Sequence, residues 1–316
     1  GAGWHHETVE SAIFPVGDYP SLALDAGDAP HISYQGGNQD LKYAYRDGTG
    51  WHTETVDDEG NAGQFSSLAL EANGTPHIIH YDPNNRDLRY AHREGAIWQK
   101  GTVDSAADVG EDTSLALDGS GAPHISYHDR ANGSLKYATW DGAVWQTETV
   151  TDSNIFAIGV GNSLALDENG IPHISYYDWS ATNLKLAIWD GAAWQIEPVD
   201  DTDTGSEDTS LAIDDSGNPH ISYYDSTNKN LKYATRDGAT WGLQTVDGTG
   251  NVGKYKSLAL DQSGNPHISY YDATNGNLKH ATWDGADWRT EIVDSTGDVG
   301  KYTSLALDES GNPHIS

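Results

Sequence analysis

The chain has neither cysteine nor methionine in its 316 residues. Without thiols, no disulfide and no thiolate metal site can hold it together. The lack of methionine even at position 1 leads to the expectation of a processed product or a piece of a longer chain. Basic residues are scarce: 17 Lys and Arg stand against 48 Asp and Glu, a formal net charge of −31. Such a chain repels nucleic acid and anionic membrane surfaces, so neither is expected as a partner. Solubility is the first use of so much acid. No apolar run approaches the ~20 residues needed to cross a bilayer as a helix. Aromatic content rests on 17 Tyr and 11 Trp, with 3 Phe. Together with abundant Gly and Asn, this composition points to an extracellular or cell-surface protein. Helical patterning is missing as well, since no stretch sustains a 3.6-residue apolar period.

What the sequence holds in abundance is repetition. The motif SLAL, or a near match, starts at Ser21, Ser67, Ser114, Ser163, Ser210, Ser257 and Ser304, at spacings of 46, 47, 49, 47, 47 and 47 residues. A Pro-His pair follows nine residues later each time, giving His31, His77, His124, His173, His220, His267 and His314. LKYA or a variant appears six times, from Leu41 to Leu278. A tryptophan heads a fourth segment at Trp4, Trp51, Trp98, Trp145, Trp194, Trp241 and Trp288. Each unit therefore holds four short runs rich in β-branched and aromatic residues, separated by Gly/Asn/Asp turns. Four strands per repeat, arrayed about seven times, predict an all-β fold: a seven-bladed β-propeller forming one domain over residues 1–316.

The expected blades are 21–56, 67–103, 114–150, 163–199, 210–246 and 257–293, with a seventh shared between the ends of the chain. That last blade would combine 304–316 with strand four from 4–10 and would lack its third strand. Three explanations of the gap are open: a chain that continues beyond Ser316, an outer strand that slides inward, or a strand supplied by another molecule.

The turn TWDGAVW at Thr139–Trp145 resembles the Asp box of sialidase-type propellers, one residue tighter than the strict form. SLALDESGNPHIS at 304–316 is similar to the strand-turn-strand of NHL-type repeats. Both resemblances imply architecture, since neither motif is catalytic in its own family and propellers host many functions. Sialidase chemistry would require an arginine cluster with a Tyr/Glu nucleophile pair and an acid. The seven arginines do not supply it: Arg46, Arg93 and Arg236 fall at one repeated position beside a turn, and Arg86, Arg89, Arg130 and Arg289 are scattered. No enzymatic activity is expected.

Candidate binding residues come from the loops joining strands two and three and from the crossings between units, which share one face. Binding usually lives on loops that a rigid scaffold presents. Strand two ends in Tyr-Tyr-Asp, giving Tyr177, Asp178, Tyr224, Asp225, Tyr271 and Asp272. An aromatic beside a carboxylate is how proteins hold sugars; the competing role is packing between blades plus an Asx turn. Departures from the pattern add His128, Arg130 and Trp179, the last expected near Ile155 and Phe156 of a crossing loop. The seven Pro-His histidines read as structural, because one site does not need a ring of equivalents. Calcium has a weak signal in DSTNKN (225–230) and DDTDTGSED (200–208), neither with EF-hand spacing. No other cofactor is implied.

The function expected from these residues is a non-catalytic, multivalent binding or scaffold module for glycans or a surface partner. The alternatives are a self-assembling fibre or sheath subunit completed by strand donation, and a glycan-cleaving enzyme of sialidase-like architecture.

Overall fold

A computed structural model describes residues 3–11, 16–152, 158–202, 208–238 and 240–316. The first blade is a meander of Asp18–Leu24, Pro30–Gln35, Leu41–Asp47 and Gly50–Asp57, each antiparallel to the next. Five further four-stranded meanders follow over 64–104, 109–151, 158–200, 209–247 and 252–294. First strands of successive blades neighbour one another around a central axis. The chain is thus a β-propeller.

The expectation of seven blades is corrected: among the described residues six four-stranded blades form, and no seventh. Residues 304–316 make only a two-stranded ribbon, Leu305–Leu307 with Pro313–Ile315. Residues 4–10 form no strand. Trp4 instead lies edge-on to His280, while Glu7 accepts bonds from Trp51 and Arg46, and Glu10 from Tyr34 and Lys42. The physical reason is the absent third strand. Strands bond only at ~4.8 Å spacing, so a segment two places from the ribbon has no ladder to join.

Ring closure passes through that ribbon. In each unit the SLAL serine accepts a hydrogen bond from the leucine N–H of the next, as Ser21 does from Leu68 and Ser210 from Leu258. The last link runs from Leu22 N–H back to Ser304 at 2.9 Å.

Blades pack face to face, so both faces of a middle strand are covered. Strand two is accordingly buried at every position in three of the blades, as Pro172–Asp178 illustrates. One core cluster joins Leu88 and Val103 of the second blade to Leu115, Ile125 and Tyr127 of the third. Tryptophans heading strand four pack on the preceding blade, Trp145 edge-on to Tyr90 and Trp194 to Tyr137. A polar clasp recurs at the same seams. The strand-four aspartate accepts from a tyrosine and a lysine of the next blade: Asp104 from Tyr127 and Lys136, Asp200 from Tyr223 and Lys232, Asp247 from Tyr270 and Lys279.

The Pro-His imidazoles sit beside the turn between strands one and two. His31, His77, His124 and His220 each face a strand-three tyrosine through Nδ1. Nε2 faces the turn carboxylate: Asp25, Glu71, Asp118 or Asp214. In His173 the tyrosine is replaced by Leu186, and His267 meets His280. His314 is the most open of the set, 35% exposed beside Asp308. Burial holds His31, His77, His124, His173, His220 and His267 below the ordinary imidazole value, against the opposing pull of the turn carboxylate. Below pH ~6.5 the unfolded chain therefore binds more protons than the folded one. Stability is full above that pH and falls as pH drops through it, at up to about 1.4 kcal/mol per pH unit for each histidine. Tm is expected to hold nearly level from pH ~7.5 to about 6.5 and to fall from there to about 5.5; a profile that stays flat or rises below about pH 6.5 would contradict this account.

Candidate functional site

The first strands of five blades begin with a bulge, as in the register slips between Gln64 and Ser67, between Val160 and Ser163, and between Lys254 and Ser257. Two residues before six of the seven serines the backbone turns to positive φ: Tyr19 (53°), Phe65 (52°), Asp112 (50°), Gly161 (60°), Tyr255 (53°) and Tyr302 (56°). Bulky side chains rarely tolerate this region. Here the conformation is held from the next unit. The residue before the serine donates to the equivalent carbonyl of the preceding unit at six places: Ser66 to Tyr19, Thr113 to Phe65, Asn162 to Asp112, Thr209 to Gly161, Lys256 to Asp208, Thr303 to Tyr255. Pro20 has no such donor, so the series is interrupted between the ribbon and the first blade.

A bulge re-aims side chains, and these point into the axial channel. They line a cavity of about 290 Å³ on the face where the blade-to-blade crossings arrive. One wall is an aromatic arc. Tyr255 meets Tyr302 at 4.5 Å between ring centroids, Tyr302 meets Tyr19 at 4.8 Å, and Tyr19 meets Phe65 at 4.8 Å. Facing it are Asp112, Asn162 and Asp208. Lys256, wholly buried, ion-pairs with Asp208. Among the described residues Asp112 has no basic partner; the Gly161 N–H donates to it, and its charged neighbours are Glu111 and Asp208. Burial pushes its carboxyl up to about 7 against the Gly161 bond. Burial also pushes the Tyr19 phenol up to about 12, with Tyr302 beside it. The result is a half-buried pocket with apolar ring faces on one side and hydrogen-bonding groups on the other.

The residues expected to bind lie mostly behind this surface. Tyr177, Tyr224 and Tyr271 are buried. Asp178, Asp225 and Asp272 are 3–4% exposed and cap their own loops, Asp178 accepting from Ser180 and Ala181, Asp225 from Asn228, Asp272 from Thr274 and Asn275. Two of the tyrosines back the cavity wall. Tyr271 lies 6.0 Å from Tyr255, and the Lys254 ammonium lies 5.3 Å above the Tyr224 ring. His128 is buried, and burial lowers its pKa. Arg130 is exposed and bonds Glu111 at 3.0 Å. Trp179 is 39% exposed and stands edge-on to Tyr177. Ile155, Phe156 and most of 200–208 lie outside the described residues. The described residues hold no group of three or more His, Asp or Glu suited to a metal ion. The Asp-box-like turn is structural: Asp141 accepts from the N–H groups of Ala143 and Val144.

Reading the sequence for loops missed the axial arc. A signal was there: across near-identical repeats, the position two before the serine runs Tyr, Phe, Asp, Gly, Asp, Tyr, Tyr.

No family model and no curated protein matches the chain, so the resemblance to sialidase-type and NHL-type propellers finds no family support. Solved structures do match. AofleA from Arthrobotrys oligospora aligns over 89% of this chain and 87% of its own, at 13% identity and TM-score 0.63. A fungal lectin from Aleuria aurantia, described as a six-bladed β-propeller with a novel fucose recognition mode, aligns over 89% and 96%, at 14% identity and TM-score 0.60. SapL1 lectin, solved with alpha methyl fucoside, aligns over 88% and 96%, at 14% identity and TM-score 0.58. At such identities the likeness is one of fold.

Proposed function

We propose that the protein is a non-catalytic, extracellular glycan-binding propeller whose saccharide enters the axial mouth. The observation that carries this reading is the aromatic arc of Tyr255, Tyr302, Tyr19 and Phe65 opposite Asp112, Asn162 and Asp208 around one cavity. The CH faces of a sugar ring lie on aromatic planes while its hydroxyls bond carboxylates and amides. Pockets are apolar with a few convergent polar groups, and this cavity has that division. The structural likeness to fungal lectins supports the reading at the level of fold. Scaffold strain adds to it, because bulky residues held at positive φ cluster at functional sites. The repeated Tyr-Tyr-Asp ends, being buried, lend no support to a multivalent rim.

The test is retention of the protein on immobilised saccharides, with Tyr302→Asn as the variant. Asparagine tolerates positive φ, so the fold should survive the change. Loss of an aromatic anchor is expected to weaken binding by roughly 2 kcal/mol, about thirtyfold in Kd. Retention of no saccharide, or equal retention by the variant, would refute the axial site.

A further inference from the structure

The charge in the cavity is unevenly answered. Asp208 is neutralised by Lys256, whose ammonium also reaches the Asp208 carbonyl. The Lys254 ammonium is turned onto the Tyr224 ring. Asp112 alone stands opposite the arc with carboxylates as its charged neighbours. The aromatic faces themselves attract cations through their quadrupoles. The rest of the molecule adds its field, at a formal charge of −31, which concentrates cations and repels anions. A uronic acid or a sulfated or sialylated sugar would have to enter against this field and meet Asp112 head-on.

We infer that the axial mouth selects amino sugars carrying a free ammonium group, the ring lying on the Tyr302–Tyr19 wall and the ammonium directed at Asp112. This inference rests on the glycan-binding reading and narrows its ligand class. Burial of Asp112 favours its neutral form, and an incoming ammonium favours the carboxylate, so ligand and ionised site stabilise each other. The small volume, about 290 Å³, lies at the low end of the ~300–1,000 Å³ of ligand pockets and suits one or two sugar rings.

The experiment compares three tetrasaccharides of one β-linked glucan backbone by calorimetry on the whole chain: the free-amine glucosamine form, its N-acetylated form and the neutral glucose form. Tetralysine is a fourth probe. The free-amine form is expected to bind about tenfold more tightly than the other two sugars. In Asp112→Asn, nearly isosteric and suited to positive φ, that preference should shrink to within about twofold while the neutral sugar is held as before. Equal affinity for the three sugars, or preference for the acetylated one, would overturn the amine selection and leave sugar binding standing. Failure to bind any saccharide would overturn the underlying reading as well. A preference that survives in Asp112→Asn would overturn the assignment to this carboxyl, and tighter binding of tetralysine than of the amino sugar would replace a glycan ligand with a basic peptide.

Discussion

Asp57→Ala is expected to cost the fold roughly 3–5 kcal/mol, read as a large drop in the urea unfolding midpoint. Asp57 ends the first blade and is 1% exposed. Its carboxylate meets three basic side chains: Lys100 at 2.9 Å, and His80 and Arg89 at 3.5 Å each. Burial opposes its ionisation, but bonds from His80, Lys100 and the Glu59 N–H outweigh it, and the carboxyl is held well below its ordinary value. Removing one partner of a buried ionic group costs far more than an exposed pair is worth. Here the deletion would leave two cations and an imidazole facing one another. Re-aiming toward Asp82, already 3.7 Å from Arg89, would leave His80 unanswered and Lys100 with the exposed Glu59 at 3.6 Å. The seam between the third and fourth blades shows how the chain tolerates the loss elsewhere. Thr151 stands at the equivalent place, and Lys185 turns to Asp178 at 2.6 Å instead. A loss below about 1 kcal/mol would show the seam to be held by apolar packing alone.

That clasp was only half legible in the sequence. Tyr-Tyr-Asp at the end of strand two has the composition of a sugar site, and composition does not say which side of a strand meets solvent. In a propeller neither does. Blades stack on both faces of the sheet, so Tyr176 and Tyr177 of one strand are both buried although alternation sends them opposite ways. Surface left for a ligand lies on loops and on the innermost strand. The start of that strand was illegible for a second reason. The bulge and positive φ at Phe65 or Tyr255 break strand alternation, so the first blade, read as 21–56, begins at Asp18. The position that carries the arc fell outside the pattern.

Blade number was legible in a different motif from the one that suggested it. SLAL or a near match occurs seven times and LKYA or a variant six. Strand one alone does not complete a blade, because the fourth strand reaches the sheet only across the third. The six third strands, from Leu41–Asp47 to Asn277–Trp283, therefore set the count. Gly17 gives an independent sign of the same thing. A Cβ placed on it meets nothing within 4 Å, whereas equivalent glycines in complete blades press against a third-strand leucine.

Those glycines set up the second large effect, expected in Gly253→Ala. Gly253 lies at the crossing into the sixth blade with φ of 101°. A Cβ there would fall 2.7 Å from both Cα and Cβ of Leu231, the third strand of the fifth blade. Gly110 and Gly300 stand in the same way against Leu88 and Leu278, at 3.0 and 2.8 Å. Backbone cannot swing aside as a flexible side chain can, so two adjoining blades would have to separate. Strain at positive φ adds about 1–2 kcal/mol and overpacking about 1–3 kcal/mol, giving a loss of roughly 3 kcal/mol or more. Gly217→Ala isolates the first part. Its φ is 78° with nothing within 4 Å of an added Cβ, so about 1 kcal/mol is expected from conformation alone. The site should feel the first change and not the second, since Gly253 is two residues from Tyr255 and adjoins Lys254. Chemical denaturation of both variants, with saccharide retention measured below the unfolding transition, checks the pair. Equal losses of stability would mean that the blades are not in contact at this glycine and that the arc is not positioned by it.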